Sequence, residues 1–186
     1  RNSDLWLLDF GNCVTSTLNN PQHLYAQSPL VQTYNVTLIA YDNNGCPDTV
    51  SHVVTVNPQP MAAFVTDTVC VGNVTHFNDL STSTAAGISS WAWDFDDGGV
   101  GSSLQNPTHV FSSSIMPQIF NATLMIEDSN GCRDTVTQPV LINPLPIVQF
   151  LADTVCTGTN TLFTDNSFSN GGAINQWSWD FGDGTG

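Results

Sequence analysis

The segment Trp91-Ala92-Trp93-Asp94-Phe95 decides how this sequence is organised. It returns 86 residues later as Trp177-Ser178-Trp179-Asp180-Phe181. An earlier copy, Trp6-Leu7-Leu8-Asp9-Phe10, lies 85 residues before the segment that begins at Trp91. Self-similarity at a fixed period is typical of a repeat architecture, in which each copy is one structural unit.

Three further motifs recur at the same offset of 86 residues. They are Asn-Pro-x-His at residues 20–23 and 106–109, Asn-Gly-Cys-x-Asp-Thr-Val at 44–50 and 130–136, and Asp-Thr-Val-Cys at 67–70 and 153–156. These motifs lie in the same order in every copy, so we predict one repeat of about 86 residues.

The repeat length divides the 186 residues into three predicted domains. Residues 1–58 are the C-terminal part of one domain, residues 59–144 are a complete domain, and residues 145–186 are the N-terminal half of a further domain. Proline pairs at positions 58 and 60 and at 144 and 146 predict short, stiff linkers. We expect this sequence to be an internal piece of a longer polypeptide.

Strand patterns dominate each repeat. Residues 120–126 place Phe, Ala, Leu and Ile on one face at period two, and residues 34–41 and 50–56 alternate in the same way. Asp97-Gly98 and Asp183-Gly184 are strong hairpin signals, because these residues tolerate positive φ in tight turns. Since no window shows a helical period, the predicted fold is all-β, a sandwich of two antiparallel sheets per repeat.

The charge balance excludes several classes of function. Sixteen acidic side chains stand against two basic ones, giving a net charge of −14 without any lysine. Nucleic-acid binding and docking on anionic lipid both need clustered Lys and Arg, so neither partner is expected. No apolar run reaches the roughly 18 residues of a membrane helix, so we expect no membrane insertion. The acids recur at hairpin turns, Asp-Thr-Val motifs and strand ends, which indicates a mostly architectural role.

Five cysteines lead to a disulfide prediction. Cys70 and Cys132 are the only cysteines in the complete repeat, and a bond between them would stabilise it by roughly 4 kcal/mol. By the same rule Cys46 and Cys156 would pair with cysteines outside the sequence, whereas Cys13 has no assigned partner. A zinc site is the competing interpretation, but there is no Cys-x-x-Cys spacing. Disulfides would indicate an oxidising, extracellular compartment.

These motifs together resemble the PKD (polycystic kidney disease) domain. The resemblance rests on Trp-x-Trp-Asp-Phe-Gly-Asp-Gly, then Asn-Pro-x-His-x-Tyr/Phe, then an aromatic-led strand, and it covers nearly the whole sequence. It implies tandem immunoglobulin-like β-sandwiches without catalytic activity, in extracellular proteins. The copies depart from the motif at Leu8, at Asn12-Cys13 and at Asp96, which suggests the tolerance of structural positions. The cysteine pattern resembles a variety found in giant repetitive surface proteins of gliding and biofilm-forming Gram-negative bacteria.

The hairpin carboxylates Asp94, Asp96 and Asp97 are weak candidates for calcium. An EF-hand loop would need an acid at its fifth position and a Glu at its twelfth, where this sequence has Gly98 and Gln105. We therefore expect these side chains to cap turn amides, with no cofactor bound. The resemblance leaves calcium at another loop or linker open, since some secreted proteins with PKD domains bind it.

Histidines recur at positions 23 and 109, where we expect packed rings rather than ligands or bases. No repeated Ser or Cys nucleophile accompanies them, so a catalytic triad is unsupported and no enzyme activity is expected. The paired tryptophans lie on one strand face, which favours core positions over a sugar-binding platform.

Two kinds of glycosylation site are predicted. Asp-Thr-Val resembles the acceptor of protein O-glycosylation in certain Gram-negative bacteria, and simple strand propensity is the equal alternative. The candidate acceptors are Thr49, Thr68, Thr135 and Thr154. Asn-x-Thr sequons are the candidates if the source attaches N-glycans, and they lie at Asn35, Asn73 and Asn121.

The sequence thus predicts a structural or adhesive segment of a long secreted or cell-surface filament or adhesin. Its expected partners are neighbouring repeats of the same chain or filament, surface glycans and other cell-surface proteins. The alternative is an accessory substrate-binding or spacer module of a secreted protease or polysaccharide hydrolase. Self-assembly of half-repeats from different chains is a third hypothesis, which the duplicated Trp-x-x-Asp-Phe strand disfavours because one copy would be surplus.

Overall fold

A computed structural model describes residues 5–112 and 115–184. The described residues contain β-strands, turns and loops and no helix. The strands are β1 Leu5–Asp9, β2 Thr15–Ser16, β3 Gln32–Tyr41, β4 Pro47–Val56, β5 Phe64–Thr66, β6 Val69–Cys70, β7 Val74–Asp79, β8 Ile88–Asp94, β9 Thr108–Val110, β10 Gln118–Asp128, β11 Arg133–Asn143, β12 Phe150–Ala152 and β13 Phe163–Asp165.

The first repeat forms one four-stranded sheet in the order β2-β1-β3-β4. Strands β3 and β4 are an antiparallel hairpin that pairs Gln32 with Val56 at one end and Tyr41 with Pro47 at the other. Gly45 has φ +80° in the connecting turn, a conformation that glycine adopts without steric cost. The Asn-Gly pair thus specifies the hairpin that the alternating strands require.

The middle repeat contains two sheets. One has the order β6-β11-β10-β8 and the other the order β5-β7-β9. Residues from both sheets form the core, and its most deeply buried members are Phe64, Phe77, Trp93, Phe95, Phe111, Leu124, Ile126, Val140 and Ile142. The predicted all-β, immunoglobulin-like sandwich is confirmed.

The period-two pattern of β10 explains why this sequence forms a core strand. Ala122, Leu124 and Ile126 are fully or almost fully buried, whereas Asn121, which precedes them, and Met125, which lies between the last two, are exposed. Successive side chains of a strand point to opposite faces, so only one face of β10 meets the second sheet. The aromatic rings of the other sheet complete this core: Phe64 and Phe77 make edge contacts with Trp93, with ring centroids 5.1 and 5.4 Å away.

The third repeat has the β12–β13 hairpin, which pairs Phe150 with Asp165 and Ala152 with Phe163. Trp177 and Trp179 follow in a stretch without strand pairing. Phe150 and Phe163 nevertheless contact Trp179, with centroids 5.4 and 5.8 Å away, as their counterparts do in the middle repeat.

The chain divides into two compact units whose limits do not coincide with the repeats. The first contains the described residues up to Ala62 together with Ser81–Ser90 and Ile126–Asp134. The second contains Ala63–Leu80, Trp91–Met125 and the described residues from Thr135 onward. The domain limits predicted from the sequence stay a prediction.

Candidate functional site

The acidic hairpin turn after β8 is held by its own carboxylates. Asp94 Oδ1 accepts a hydrogen bond of 3.0 Å from the Asp96 N–H, and Asp96 Oδ2 accepts one of 2.9 Å from the Asn121 N–H. Asp96 has φ +61° at a position where the other repeats have glycine. The bond to Asn121 therefore holds a left-handed residue in place.

Asp97 bonds to the recurring histidine. His109 Nε2 lies 2.7 Å from Asp97 Oδ2, and Asp97 Oδ1 accepts a bond of 2.9 Å from the Gly99 N–H. Burial would raise the pKa of Asp97, but the hydrogen bonds from His109 and Gly99 outweigh it and hold that pKa below its ordinary value. Because an ionised carboxylate only accepts, Nε2 carries the proton of this bond.

The histidine is a packed ring in both repeats where it occurs. His109 stacks on Phe95 at 4.2 Å and meets the edge of Phe111 at 4.7 Å. In the first repeat, His23 stacks on Phe10 at 4.1 Å and meets the edge of Tyr25 at 4.6 Å. This recurring stack gives the histidine a structural role.

No metal-binding arrangement is present among residues 5–112 and 115–184, where no group of three or more His, Cys, Asp or Glu side chains could hold an ion. The carboxylate of Asp94 bonds to a turn amide, that of Asp96 to the Asn121 amide of β10, and that of Asp97 to His109. A calcium ion at this turn would have to compete with those bonds.

All predicted glycosylation acceptors are exposed, namely Thr49, Thr68, Thr135, Thr154, Asn35, Asn73 and Asn121. Two aspartates of the Asp-Thr-Val motifs accept hydrogen bonds from backbone amides. Asp67 Oδ1 accepts from the His76 N–H at 2.8 Å, and Asp134 Oδ2 accepts from the Ala62 N–H at 2.8 Å. The motif thus stabilises the backbone while its threonine stays accessible.

The predicted disulfide between Cys70 and Cys132 is wrong, because both thiols are free. Cys70 lies opposite Asn143, the last residue of β11, whereas Cys132 directly precedes the first residue of the same strand. At about 3.3 Å per residue the strand separates the two by about 35 Å, and a disulfide needs Cα atoms within about 7 Å. Burial and the neighbouring Asp128 raise the pKa of the Cys132 thiol.

The other cysteines are also free and are exposed. Cys46 directly precedes β4, as Cys132 precedes β11, and Cys156 corresponds to Cys70. Partners for Cys46 and Cys156 within their own repeats would therefore lie at the opposite end of a long strand. Cys13 has φ +68° in its hairpin turn, where Gly98 stands in the middle repeat.

Sequence reasoning missed a contact that recurs where consecutive repeats meet. Thr84 Oγ1 donates a bond of 2.9 Å to the Pro29 carbonyl, and both residues belong to the first compact unit. Asn170 Nδ2 donates a bond of 2.7 Å to the Ile115 carbonyl, and both belong to the second compact unit. The two bonds lie 86 residues apart at both ends, so the same pair of loops meets twice. We call these two loop pairs the repeat junctions.

One linker proline lies close to each repeat junction: Pro58 lines the same groove as Pro29, and Pro144 lies beside Gly171, the neighbour of Asn170. Pro58 and Pro60 are buried, and so is Pro144. A methyl group added at Gly171 would lie 2.7 Å from Pro144 Cδ, so this loop approaches the proline too closely for a side chain. The paired prolines were the available sequence signal, because fixed φ angles suit a linker with one geometry.

A groove adjoins the first repeat junction. It has a volume of about 480 Å³ and is lined by residues 24–30 and 56–59. Its lining is mixed in polarity and contains no ionisable side chain other than Tyr25. Acid–base or metal chemistry therefore has no basis in this groove.

A membrane-spanning helix is not found among the residues that the structure describes. Comparison with protein families matches residues 57–142 to the PKD domain. PKD is a non-catalytic type of domain. The matched stretch differs by two residues at each end from the predicted complete repeat.

Three solved structures, two of PKD domains and one of Ig domains, are similar to parts of this chain. The PKD1 domain of Vibrio anguillarum Epp is 22% identical with a TM-score of 0.42, over 48% of this chain and 100% of that one. The PKD1 domain of the Vibrio cholerae metalloprotease PrtV is 25% identical with a TM-score of 0.40, over 45% of this chain and 96% of that one. The N-terminal four Ig domains of Dscam1 isoform 1.9 are 13% identical with a TM-score of 0.35, and the match covers 74% of this chain and 37% of that one.

Proposed function

We propose that this chain, whose residues 57–142 match the PKD domain, is a non-catalytic structural and adhesive segment of a long secreted or cell-surface filament or adhesin. In this proposal tandem PKD-like repeats space an attachment site away from a bacterial surface and resist load. The observation that carries it is the recurrence of the repeat junction.

The junctions support a spacer because they limit motion at the linkers. A bond from Thr84 to the Pro29 carbonyl ties a loop of the middle repeat to a loop before it, and Pro29 lines one groove with the buried Pro58. Linkers without such contacts leave neighbouring domains free to reorient. Since Asn170 makes the corresponding bond to Ile115, the same restraint applies at successive linkers.

Charge and surface chemistry agree with an extracellular array. A net charge of −14 with two basic residues keeps tandem domains apart from one another and soluble through self-repulsion. Neighbouring repeats are the first partners of each domain, and surface glycans and other cell-surface proteins are the proposed attachment targets. The exposed threonines of the Asp-Thr-Val motifs are proposed O-glycan acceptors, and the exposed Asn-x-Thr asparagines are the alternative.

Backbone ¹⁵N relaxation of the intact chain tests the spacer role. The first and middle repeats should report one common correlation time, and Thr84→Val should separate their values because it removes the bond to Pro29. Thr82→Val in the same loop is the matched control, since the Thr82 backbone, not its side chain, pairs with Met61. Independent tumbling of the repeats in the unaltered chain would contradict the proposal.

Two measurements on the producing cells test location and modification. An antibody against the chain should label intact cells, and labelling confined to a secreted hydrolase fraction would favour the accessory-module alternative. The intact mass of the chain should fall on chemical deglycosylation. The masses of tryptic or acid-cleaved peptides should then show which threonines carry the sugar. Unmodified peptides at all four threonines would remove the O-glycan part of the proposal.

A further inference from the structure

Strand β4 is the outer strand of the sheet β2-β1-β3-β4, and half of its backbone groups point away from that sheet. Cys46 lies opposite Asp42 in the register that pairs Tyr41 with Pro47, and the Asp42 N–H donates to the Cys46 carbonyl at 3.0 Å. Bonded and non-bonded positions alternate along an antiparallel pair, so the even-numbered residues of β4 bond to β3. The odd-numbered residues from Thr49 to Thr55 therefore direct their N–H and C=O groups to the free edge.

Most of these outward groups have no strand partner among residues 5–112 and 115–184. The Thr49 N–H bonds to the Asp48 carboxylate at 2.8 Å. The N–H groups of Ser51, Val53 and Thr55 face no other strand, because β4 has only β3 beside it. A row of unpaired backbone groups on an edge strand can pair with an added strand.

The complete middle repeat shows that this edge stays open when both halves of a repeat are present. Strand β11 is the counterpart of β4, and β6 pairs only with its last two residues. The Asp128 N–H donates to the Cys132 carbonyl, so the odd-numbered residues of β11 also point outward. No described strand pairs with residues 135–141 on that side. The open edge over the corresponding residues 49–55 is therefore a property of the repeat.

A proline blocks the edge in the middle repeat, whereas the first repeat has none there. Pro139 lies on the outward row of β11, where it offers no N–H to an added strand. Val53 is its counterpart, 86 residues earlier, and keeps its N–H. Proline on an edge strand protects a sheet from pairing with another chain. Of these two edges, that of β4 is thus the one able to accept a strand.

The open stretch of β4 has a composition that suits pairing with its own copy. Residues 49–56 contain four valines, two threonines and no acidic residue, in a chain with 16 acidic side chains. Uncharged, β-branched segments favour strand pairing between chains. Two copies can therefore approach at this edge without like charges lying opposite each other.

We propose that β4 of one copy of this chain pairs antiparallel with β4 of a second copy across a two-fold axis, joining two four-stranded sheets into one. The axis passes between the two copies of His52, so Ser51 of each copy lies opposite Val53 of the other. Thr49 then lies opposite Thr55, and the register uses the whole stretch that a complete repeat leaves open. The amides of residues 51, 53 and 55 of the two copies supply about six new backbone hydrogen bonds. The contact is isologous, because both copies use the same surface.

This contact joins two chains side by side and so goes beyond the spacer role. The repeat junctions lie within one chain, and the spacer proposal therefore does not depend on whether the edges pair. Failure of the pairing and failure of the spacer role are distinguishable, since the first changes the mass of the particle and the second changes the motion of the repeats.

Sedimentation velocity over a concentration series tests the pairing with two variants of one residue. The unaltered chain should shift from 20.0 kDa towards twice that mass as its concentration rises. Val53→Pro should stay monomeric, because it copies Pro139 and removes a central donor, whereas Val53→Thr should dimerise, because it keeps the N–H. The measurements are made at pH 8, where imidazole is ordinarily neutral, because the two His52 side chains would face each other across the axis.

Pro139→Val is a second test, which does not depend on the fold of Val53→Pro. It should open the edge of β11 and give species larger than a dimer, since each chain would then have two edges that pair. Amide hydrogen exchange locates the contact. The amides of Ser51, Val53 and Thr55 should exchange more slowly as the dimer forms, whereas the even-numbered amides of β4 already bond to β3 and should not change.

Four outcomes would overturn the proposal. They are a monomer at every concentration, a dimer that persists in Val53→Pro, a Pro139→Val chain that stops at the dimer, and exchange of the three outward amides that does not depend on concentration. Covering of this edge by another segment of a longer polypeptide would give the first of these outcomes.

Discussion

Replacing Asp97 tests whether the recurring histidine stack is held by charge or by packing. The carboxylate accepts from His109 Nε2 at 2.7 Å, and both side chains are largely buried. The first repeat offers a natural comparison, because Asn12 Nδ2 lies 3.0 Å from His23 Nε2 in the corresponding place. Asp97→Asn therefore copies an arrangement that already exists in this chain, whereas Asp97→Ala removes it.

Asp97→Ala and Asp97→Asn should lower the free energy of unfolding by different amounts. A hydrogen bond to a charged group contributes roughly 1.5–3 kcal/mol, and a neutral one roughly 0.5–1.5 kcal/mol. Asp97→Ala should thus lower the free energy of unfolding by about 2 kcal/mol, since it also leaves the ring nitrogen of His109 without its partner. Asp97→Asn should lower it by about 1 kcal/mol, because the amide keeps a bond to either tautomer of the ring.

The difference in unfolding free energy between the unaltered chain and Asp97→Asn should decrease as the pH falls. The folded state lowers the pKa of Asp97, so its contribution is complete above the ordinary carboxyl value of about 3.9 and is lost as pH falls through the folded pKa. The gap between the unaltered chain and Asp97→Asn should therefore be largest near neutral pH. It should shrink as pH falls below 4.

Urea unfolding at pH 7 and at pH 3, followed by tryptophan fluorescence, measures both effects. Asp67→Asn is the control, because Asp67 pairs with His76 at 2.9 Å on the exposed surface, where such pairs contribute between 0 and about 1 kcal/mol. Equal losses for the two aspartate-to-asparagine variants, or a gap that widens in acid, would refute the reasoning.

The remaining predictions concern the middle repeat. Thr75→Val should raise the unfolding free energy by about 1 kcal/mol in calorimetry, since its buried Oγ1 has no hydrogen-bond partner; a loss of stability would reveal a partner for this hydroxyl. Asn143→Cys should form a bond with Cys70 that raises the stability by about 4 kcal/mol on the chain-entropy estimate, an increase that reductant should abolish. Gly101→Ala should destabilise the fold by more than about 1 kcal/mol in urea, because the new methyl group would meet the Trp93 carbonyl; unchanged stability would show that the backbone yields there.

The local sequence pattern was sufficient to predict the strands and the turns. Alternation over residues 120–126 predicted which side of β10 is buried, and Asn-Gly and Asp-Gly pairs predicted turns that have positive φ. The role of Asp96 was beyond local reasoning, since its bond to Asn121 joins residues 25 positions apart. The local sequence does not distinguish an aspartate that caps a turn from an aspartate that binds a metal ion.

The cysteine prediction was wrong for a related reason. Cys70 and Cys132 were paired because they are the only cysteines of the complete repeat, an argument from counting that contains no direction. β6 runs parallel to β11 and pairs with its last two residues, which places the two thiols at opposite ends of an 11-residue strand. Strand direction and register are properties of the sheet and are absent from a count of residues.

The amino-acid sequence by itself determined the 86-residue period, the all-β class and the acidic turns, because strand and turn preferences act between residues close along the chain. Only the tertiary structure decided which distant groups meet: Asp97 with His109, Thr84 with the Pro29 carbonyl, and Cys70 with Asn143 rather than Cys132. Those contacts depend on how strands are ordered and aligned in sheets.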